Sequence, residues 1–326
     1  MLTTRFTETF GVQHPIVCGG MTAVGTADLV AAVAEAGALG FLTALTQGTP
    51  EQLVREIERC RELTDAPFGV NLTLMPSARP IPYDEYCAAI IDAGVGVVET
   101  AGDNPERHVR TLQAAGVKVI HKTTSVQRAL EAEALGVDAI TLDGFEAAGH
   151  PGNDFVAGLV LIPVAATALS VPLIAGGGFA NGRGLVAALA LGASAINMGT
   201  RFVATQEAPV HVNVKRQIVA NSERDTTIVF RDFGNAARVA RNSVSEEIYT
   251  IGRRPGATYS EVAPLASGAR GRREVLTKGD MEGGLWWAGQ AQGLVDDIPR
   301  VDELVERIVS QATRLVLRDL PALARD

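Results

Sequence analysis

The chain has 326 residues, 37 acidic side chains against 29 basic ones, a net charge of −8, and 47% hydrophobic but only 5% aromatic content. That length buries a large core, as one big domain or one domain with an appendage, and an acidic chain without a basic stripe excludes nucleic acid as its main partner. Cys18, Cys60 and Cys87 contain no CxxC pair, so they form neither a disulfide framework nor a zinc site and fit a reducing cytoplasm. The opening MLTTRFTETFG lacks a signal-peptide core, and no apolar run nears the roughly 18 residues of a membrane span. A cytoplasmic protein with small-molecule substrates and no metal is the expectation.

Along the first two thirds one phrase recurs, in which a helix ends in a small residue and Gly and a short apolar strand follows. It stands at Ala36–Phe41, Ala93–Val98, Ala115–Ile120, Leu135–Ile140 and Leu191–Ile196. The Gly takes the left-handed position that ends a helix, and the β-branched run is a strand buried on both faces. Helices are predicted over Asp28–Ala36, Tyr83–Asp92, Pro105–Ala115, Ser125–Leu135 and Arg183–Leu191, from apolar residues at three-four spacing. Adding Pro15–Cys18, Pro67–Asn71 and Val171–Ala175 gives about eight strands alternating with helices, which means parallel β with right-handed crossovers. The count favours a closed (β/α)8 TIM barrel over an open doubly wound sheet.

After about Pro209 the pattern changes. Val210–Gln217, Asn235–Gly252, Ser260–Ala266 and Trp286–Leu294 read as helical, with no convincing strand, and Val301–Leu317 reads as a long amphipathic helix able to close the outer ring. The expected organisation is a barrel over 1–209, a helical lobe over the barrel mouth at 210–300, and a C-terminal helix at 301–326 packed back on the barrel.

Barrel active sites lie at the C-terminal ends of the strands. There the sequence places Gly19-Gly20-Met21-Thr22, Asn71-Leu72-Thr73, Glu99-Thr100-Ala101-Gly102, His121-Lys122, the loop Asp143–Asp154 with His150 at its tip, Gly176-Gly177-Gly178, and Asn197-Met198-Gly199-Thr200-Arg201. Glycine-rich loops after the last two strands bind a phosphate through backbone N–H groups. No Walker GxxxxGK[ST] occurs, and no GxGxxG follows the first strand. Neither ATP nor a Rossmann-bound dinucleotide is therefore expected, and a flat phosphorylated cofactor such as FMN suits the glycine-lined walls.

PIVCGGMTAVG, PFGVNLTLMP, VIHKTTSVQRA, DGFEAAGHPG, PLIAGGGFANGRG and AINMGTRF, with ARVARN and GLWWAGQAQGLVDD further on, resemble the nitronate monooxygenase family of FMN-dependent barrels, formerly called 2-nitropropane dioxygenases. Within it the chain is most similar to the bacterial NADH:quinone reductase branch. The resemblance implies an FMN-dependent oxidoreductase that passes hydride from NADH to the flavin and two electrons to a quinone, with nitronate oxidation by O2 as the alternative. It implies FMN contacts at Gly20, Met21, Thr22, Thr73, Lys122, Asp143, Ala148, Gly149, Gly176, Gly177, Gly178, Gly199 and Thr200. His150 would be the catalytic residue over the flavin, and Met75, Pro76 and Tyr259 would lie near NADH. Cys18, Gly176 and Ala78 depart from the residues usual there, and a homodimer is compatible with the resemblance.

Competing readings of the same residues stay open. Asp143 and Glu146 are either an acid/base carboxylate pair or a turn residue and a hydrogen-bond anchor. Lys122 has a Schiff-base reading, which would make the protein a barrel lyase or aldolase. His14 and His121 are core or site wall, and His108 and His211 are expected in solvent. Cys18 reads as a small buried hydrophobe. Trp286-Trp287 is lobe packing or a platform beside an aromatic substrate. Arg253 and Arg254 are candidates for a 2′-phosphate if NADPH replaces NADH.

Overall fold

A computed structural model describes residues 2–75 and 80–324. Pro76 and Ala78 lie outside the described residues. Eight parallel strands close into a barrel in sequential order: β1 (Ile16–Cys18), β2 (Leu39–Thr43), β3 (Gly69–Leu74), β4 (Val97–Gly102), β5 (Lys118–Thr123), β6 (Ala139–Asp143), β7 (Leu173–Gly176) and β8 (Ala195–Asn197). Helix α1 (Arg5–Phe10) precedes them. The crossover helices are α2 (Ala27–Glu35), α3 (Pro50–Leu63), α4 (Tyr83–Asp92), α5 (Glu106–Ala114), α6 (Val126–Ala134), α7 (Gly158–Ala168) and α8 (Gly182–Ala190).

Two apolar cores result from the strand period of two. Outward residues such as Cys18, Val70, Leu72, Val119, Ile140 and Leu142 join the helix layer. Inward residues Val17, Leu39, Phe41, Val97, Ile120, Ala139, Ile174 and Ala195 fill the N-terminal half of the lumen, and α1 plugs that end with Phe6 and Phe10. A barrel interior of this kind is a packed core and not a pore.

The C-terminal half of the lumen is polar instead. One pleat further along each strand, the same parity brings in Asn71, Glu99, Lys122, Thr141, Asp143 and Asn197. Register aligns Asn71 with Glu99, Lys122 with Thr141, and Asp143 with Gly176 and then Asn197.

Past β8 come α9 (Thr200–Val203), α10 (Val212–Ala220), β9 (Thr226–Val229), β10 (Ala237–Ala240), α11 (Ser243–Gly252), α12 (Tyr259–Val262), α13 (Gly268–Gly271) and α14 (Val301–Arg314). The expectation of no strand in this region is corrected, since β9 and β10 pair antiparallel, Arg238 opposite Ile228 and Val239 opposite Thr227. Buried Val229, Ala237 and Val239 pack there on Val244 and Ile248 of α11, and this packing outweighs the helical reading of Asn235–Arg241. Helix α12 stops at Val262, short of Ala266, and Trp286–Gly289 is neither helix nor strand, with a 3-10 turn only at Gln290–Leu294. Helix α14 packs on α8 and α2 and supplies the eighth outer helix. Its buried Leu304, Val305, Ile308 and Ala312 form the stripe read from the sequence, and a π-helical turn at Leu315–Asp319 follows. No described helix is long and apolar enough to cross a membrane.

Candidate active site

Six strand ends meet at the polar half of the lumen. Glu99 is fully buried, and its Oε2 accepts from the Gly20 N–H at 2.9 Å, Asn71 Nδ2 at 2.7 Å and Lys122 Nζ at 3.4 Å. Thr73 Oγ1 donates to Asn71 Oδ1 at 3.0 Å, and the Gly19 N–H donates to Asn197 Oδ1 at 2.9 Å. Buried charge is tolerated when paired and hydrogen-bonded, and Glu99 has both. Its second oxygen, Oε1, and Thr141 Oγ1 are buried without a partner among the described residues. Orphaned polar atoms at the floor of a mouth mark a place where a ligand or water completes the bonding.

Desolvation opposes the charge on Lys122, but Glu99 and then Asp143 beside it outweigh that, and its pKa is raised. The ammonium is therefore kept, which is the opposite of what a Schiff-base lysine requires. Asp143 is pushed up to about 6 by desolvation, only partly offset by Lys122, with Glu99 adding to the rise. A Cβ at Gly176 would stand 1.8 Å from Asp143 Oδ1, so glycine here permits the carboxylate's position. Cys18 is buried, and desolvation raises its thiol's pKa, with Glu99 adding to the rise; it is the inert small side chain expected.

The wall beyond Asp143 is the long β6–α7 loop. Glu146 accepts from the Gly158 N–H at 3.0 and 3.2 Å, anchoring the first turn of α7, so the anchor reading of this residue stands and the acid/base pair does not. Gly149 pairs with Arg238 of β10, giving and taking backbone bonds of 3.0 and 2.6 Å. Buried Arg238 donates to the Phe145 carbonyl at 2.9 and 3.2 Å and to Thr226 Oγ1 at 2.8 Å. Gln290 N–H donates to the Glu146 carbonyl, and Gly289 N–H to Thr200 Oγ1. The lobe thus clamps the loop on the C-terminal side of the barrel.

His150 stands exposed at the loop tip, 5.8 Å from the Trp287 ring. The protein around it still desolvates the imidazole enough to lower its pKa, so it is neutral at neutral pH. Of the tryptophan pair, Trp286 is buried lobe packing and Trp287 is half exposed beside His150. The packing reading therefore holds for Trp286.

The remaining predicted residues fall as follows. Gly177 and Gly178 have φ of +83° and +84°, values only glycine adopts cheaply, and their N–H groups have no acceptor among the described residues. Gly199 caps α9, and Met21 Sδ lies 3.4 Å from a Cβ placed on it. Thr22 is exposed and Ala148 half-buried. Met75 is exposed, its N–H donating to Tyr83 Oη at 3.0 Å. Tyr259 belongs to the lobe, packed edge-on against Phe230 and Phe233.

Four histidines need comment. His121 is buried on the helix side, 2.9 Å from Thr100 Oγ1, with its pKa lowered to about 4 by desolvation; it is core. His14, before β1, is half-buried at the opposite end of the barrel. His108 and His211, expected in solvent, are instead half-buried. His108 lies 3.7 Å from Cys87 Sγ, and His211 Nδ1 accepts from the Asn213 N–H. Sequence reasoning passed over Glu99, Asn71 and Asn197 as functional groups. The available signal was a carboxylate within the strand run Val97–Ala101, where burial is expected.

A family model described as nitronate monooxygenase matches residues 3–311. The structure of FabK from Thermotoga maritima superposes with a TM-score of 0.90 at 36% identity, over 99% of this chain and 100% of that one. A 5-hydroxy-7a-methyl-1-oxo-octahydro-1H-indene-4-carboxyl-CoA dehydrogenase from Rhodococcus jostii is 32% identical, over 97% of each chain. The nitronate monooxygenase of Pseudomonas aeruginosa is 30% identical, over 95% of this chain and 99% of its own length.

Proposed function

The chain belongs to the nitronate monooxygenase family, an oxidoreductase family, and on that premise we propose that it is an FMN-dependent enzyme oxidising alkyl nitronates with O2. The observation that carries the reading is one juxtaposition. The loop that carries His150, an imidazole whose pKa desolvation lowers, leaves the end of β6 beside a polar floor that holds a retained ammonium, two carboxylates and unpartnered buried oxygens.

The residues present fit FMN. The free N–H groups of Gly177 and Gly178 and the start of α9 at Gly199-Thr200 would hold a phosphate. Gly20, Met21, Thr22, Thr73, Ala148, Gly149 and Gly176 would border the flat rings, with Lys122 and Asp143 toward the lumen. FMN, when bound, supplies the two-electron acceptor. Lys122 contributes a fixed positive charge at the floor of the mouth. A neutral imidazole offers one N–H and one lone pair, so His150 donates to a nitronate oxygen or takes a proton from a carbon acid. The clamp of Arg238 on Phe145 and Gly149 holds the loop that carries His150.

A second reading, hydride from NADH with a quinone as acceptor, uses the same mouth. It is supported by the resemblance of the site motifs, and the named relatives favour nitronate oxidation over it. A third substrate class, a CoA thioester, is suggested by the Rhodococcus relative's name. Anaerobic stopped-flow mixing with propyl-2-nitronate separates these readings. Fast bleaching of the flavin absorbance, restored by O2, is expected; bleaching by NADH and not by nitronate would overturn the nitronate assignment.

A further inference from the structure

Beside the site loop lies a cavity of about 460 Å3, within the range of about 300–1,000 Å3 usual for small-molecule sites. One wall is Phe145 and Phe155, edge-on at 5.3 Å; the other comes from the lobe, with Phe230 and Tyr249. Phe155 and Phe230 have φ of +53° and +61°, two of three such non-glycine residues among those described. A bulky residue in that region is strained and persists only where the surroundings impose it. This fold imposes it twice in one cleft, and both rings line it.

Two arginines complete the cleft. Arg231 lies over the Phe155 ring at 4.5 Å, and Arg253 lies over Tyr249 and donates to its hydroxyl. Both are exposed and make no ion pair among the described residues, whereas neighbouring Arg254 is paired with Glu261 at 2.7 Å. Asp232 is the one acidic side chain among the described lining residues.

Aromatic faces take a flat heterocycle, unpaired guanidinium groups take phosphate, and a single carboxylate suits ribose hydroxyls. We propose that this cleft binds the adenosine-diphosphate end of a nucleotide-bearing co-substrate. Adenine lies along the phenyl rings, and the diphosphate lies on Arg231 and Arg253. The proposal rests on the second and third readings above, since NADH and a CoA thioester share this moiety, and not on nitronate oxidation, which needs no nucleotide. Phe145 and Phe155 stand five residues before and after His150, so an occupant holds both ends of the loop that carries the histidine.

The test is calorimetric titration of the flavin-loaded protein with ADP and with coenzyme A. Saturable ADP binding is expected, weakened about tenfold or more in Arg231→Ala/Arg253→Ala through loss of charge-assisted contacts. Phe155→Asn should weaken it too, because asparagine keeps the left-handed backbone while removing the ring. Coenzyme A binding more tightly than ADP identifies a thioester as the source; ADP slowing flavin bleaching by NADH identifies the dinucleotide. Absence of binding up to millimolar ligand, or unchanged affinity in both variants, overturns the proposal. Failure of the oxidoreductase reading appears separately, as a flavin that neither nitronate, NADH nor a CoA thioester bleaches, because the titration needs no turnover.

Discussion

Asp143→Asn gives the sharpest test of the polar floor. Folding raises this carboxyl from 3.8 to about 6, chiefly by burial. At about 1.4 kcal/mol per tenfold change in proton affinity, that corresponds to about 3 kcal/mol. The folded protein holds the proton more tightly than the unfolded chain does, so stability falls as pH rises from about 4 to 6 and the full cost is present above about 7. Below about 3.8 both states are protonated and the cost vanishes. Asparagine has the same shape and never ionises. Flavin-stripped Asp143→Asn should therefore be more stable than the parent by up to about 3 kcal/mol at pH 8, and close to it near pH 4. Urea unfolding at pH 4, 6 and 8 measures the difference. A gap that does not grow with pH, or a variant less stable at pH 8, would refute the account, because Lys122 would then be stabilising the carboxylate more than burial penalises it.

His150→Ala should lower nitronate turnover by about 100-fold or more, the scale of a lost acid–base group, with the flavin spectrum kept. In the parent, the acidic limb of kcat/KM should have its midpoint below 6.5, since desolvation lowers this imidazole's pKa; a midpoint above 6.5 would exclude His150 as its source. Gly178→Ala forces a side chain to φ +84°, costing on the order of 1–2 kcal/mol, and should weaken FMN binding measured by fluorescence. Arg238→Ala leaves the half-buried Phe145 carbonyl short of its donors and the buried Thr226 hydroxyl without its partner, at a cost of about 1–2 kcal/mol. Proteolysis should then cut the His150 loop faster than in the parent.

The barrel was legible because its determinants are local. Five crossover helices end at a glycine, Gly37, Gly94, Gly116, Gly136 or Gly192, all at positive φ, and a short run rich in apolar residues follows each. The glycine loops and His150 could be read for the same reason, since position after a strand fixes the end of the barrel on which a residue lies. Lobe strands β9 and β10 were not legible. They are four residues each and gain their burial from α11, a tertiary effect with no periodicity to read. The cluster of Asn71, Glu99, Lys122 and Asp143 comes from four strands, with Asn71 and Asp143 72 positions apart. Each member looks like an isolated polar residue until closure and register put them in one lumen. The sequence by itself determined the alternation, the closed sheet and the end of the barrel on which the glycine loops lie. Only the tertiary structure decided which polar side chains share a floor, which pKa values move, and which rings of the lobe face the loop, because those depend on distances between segments that the chain order does not encode.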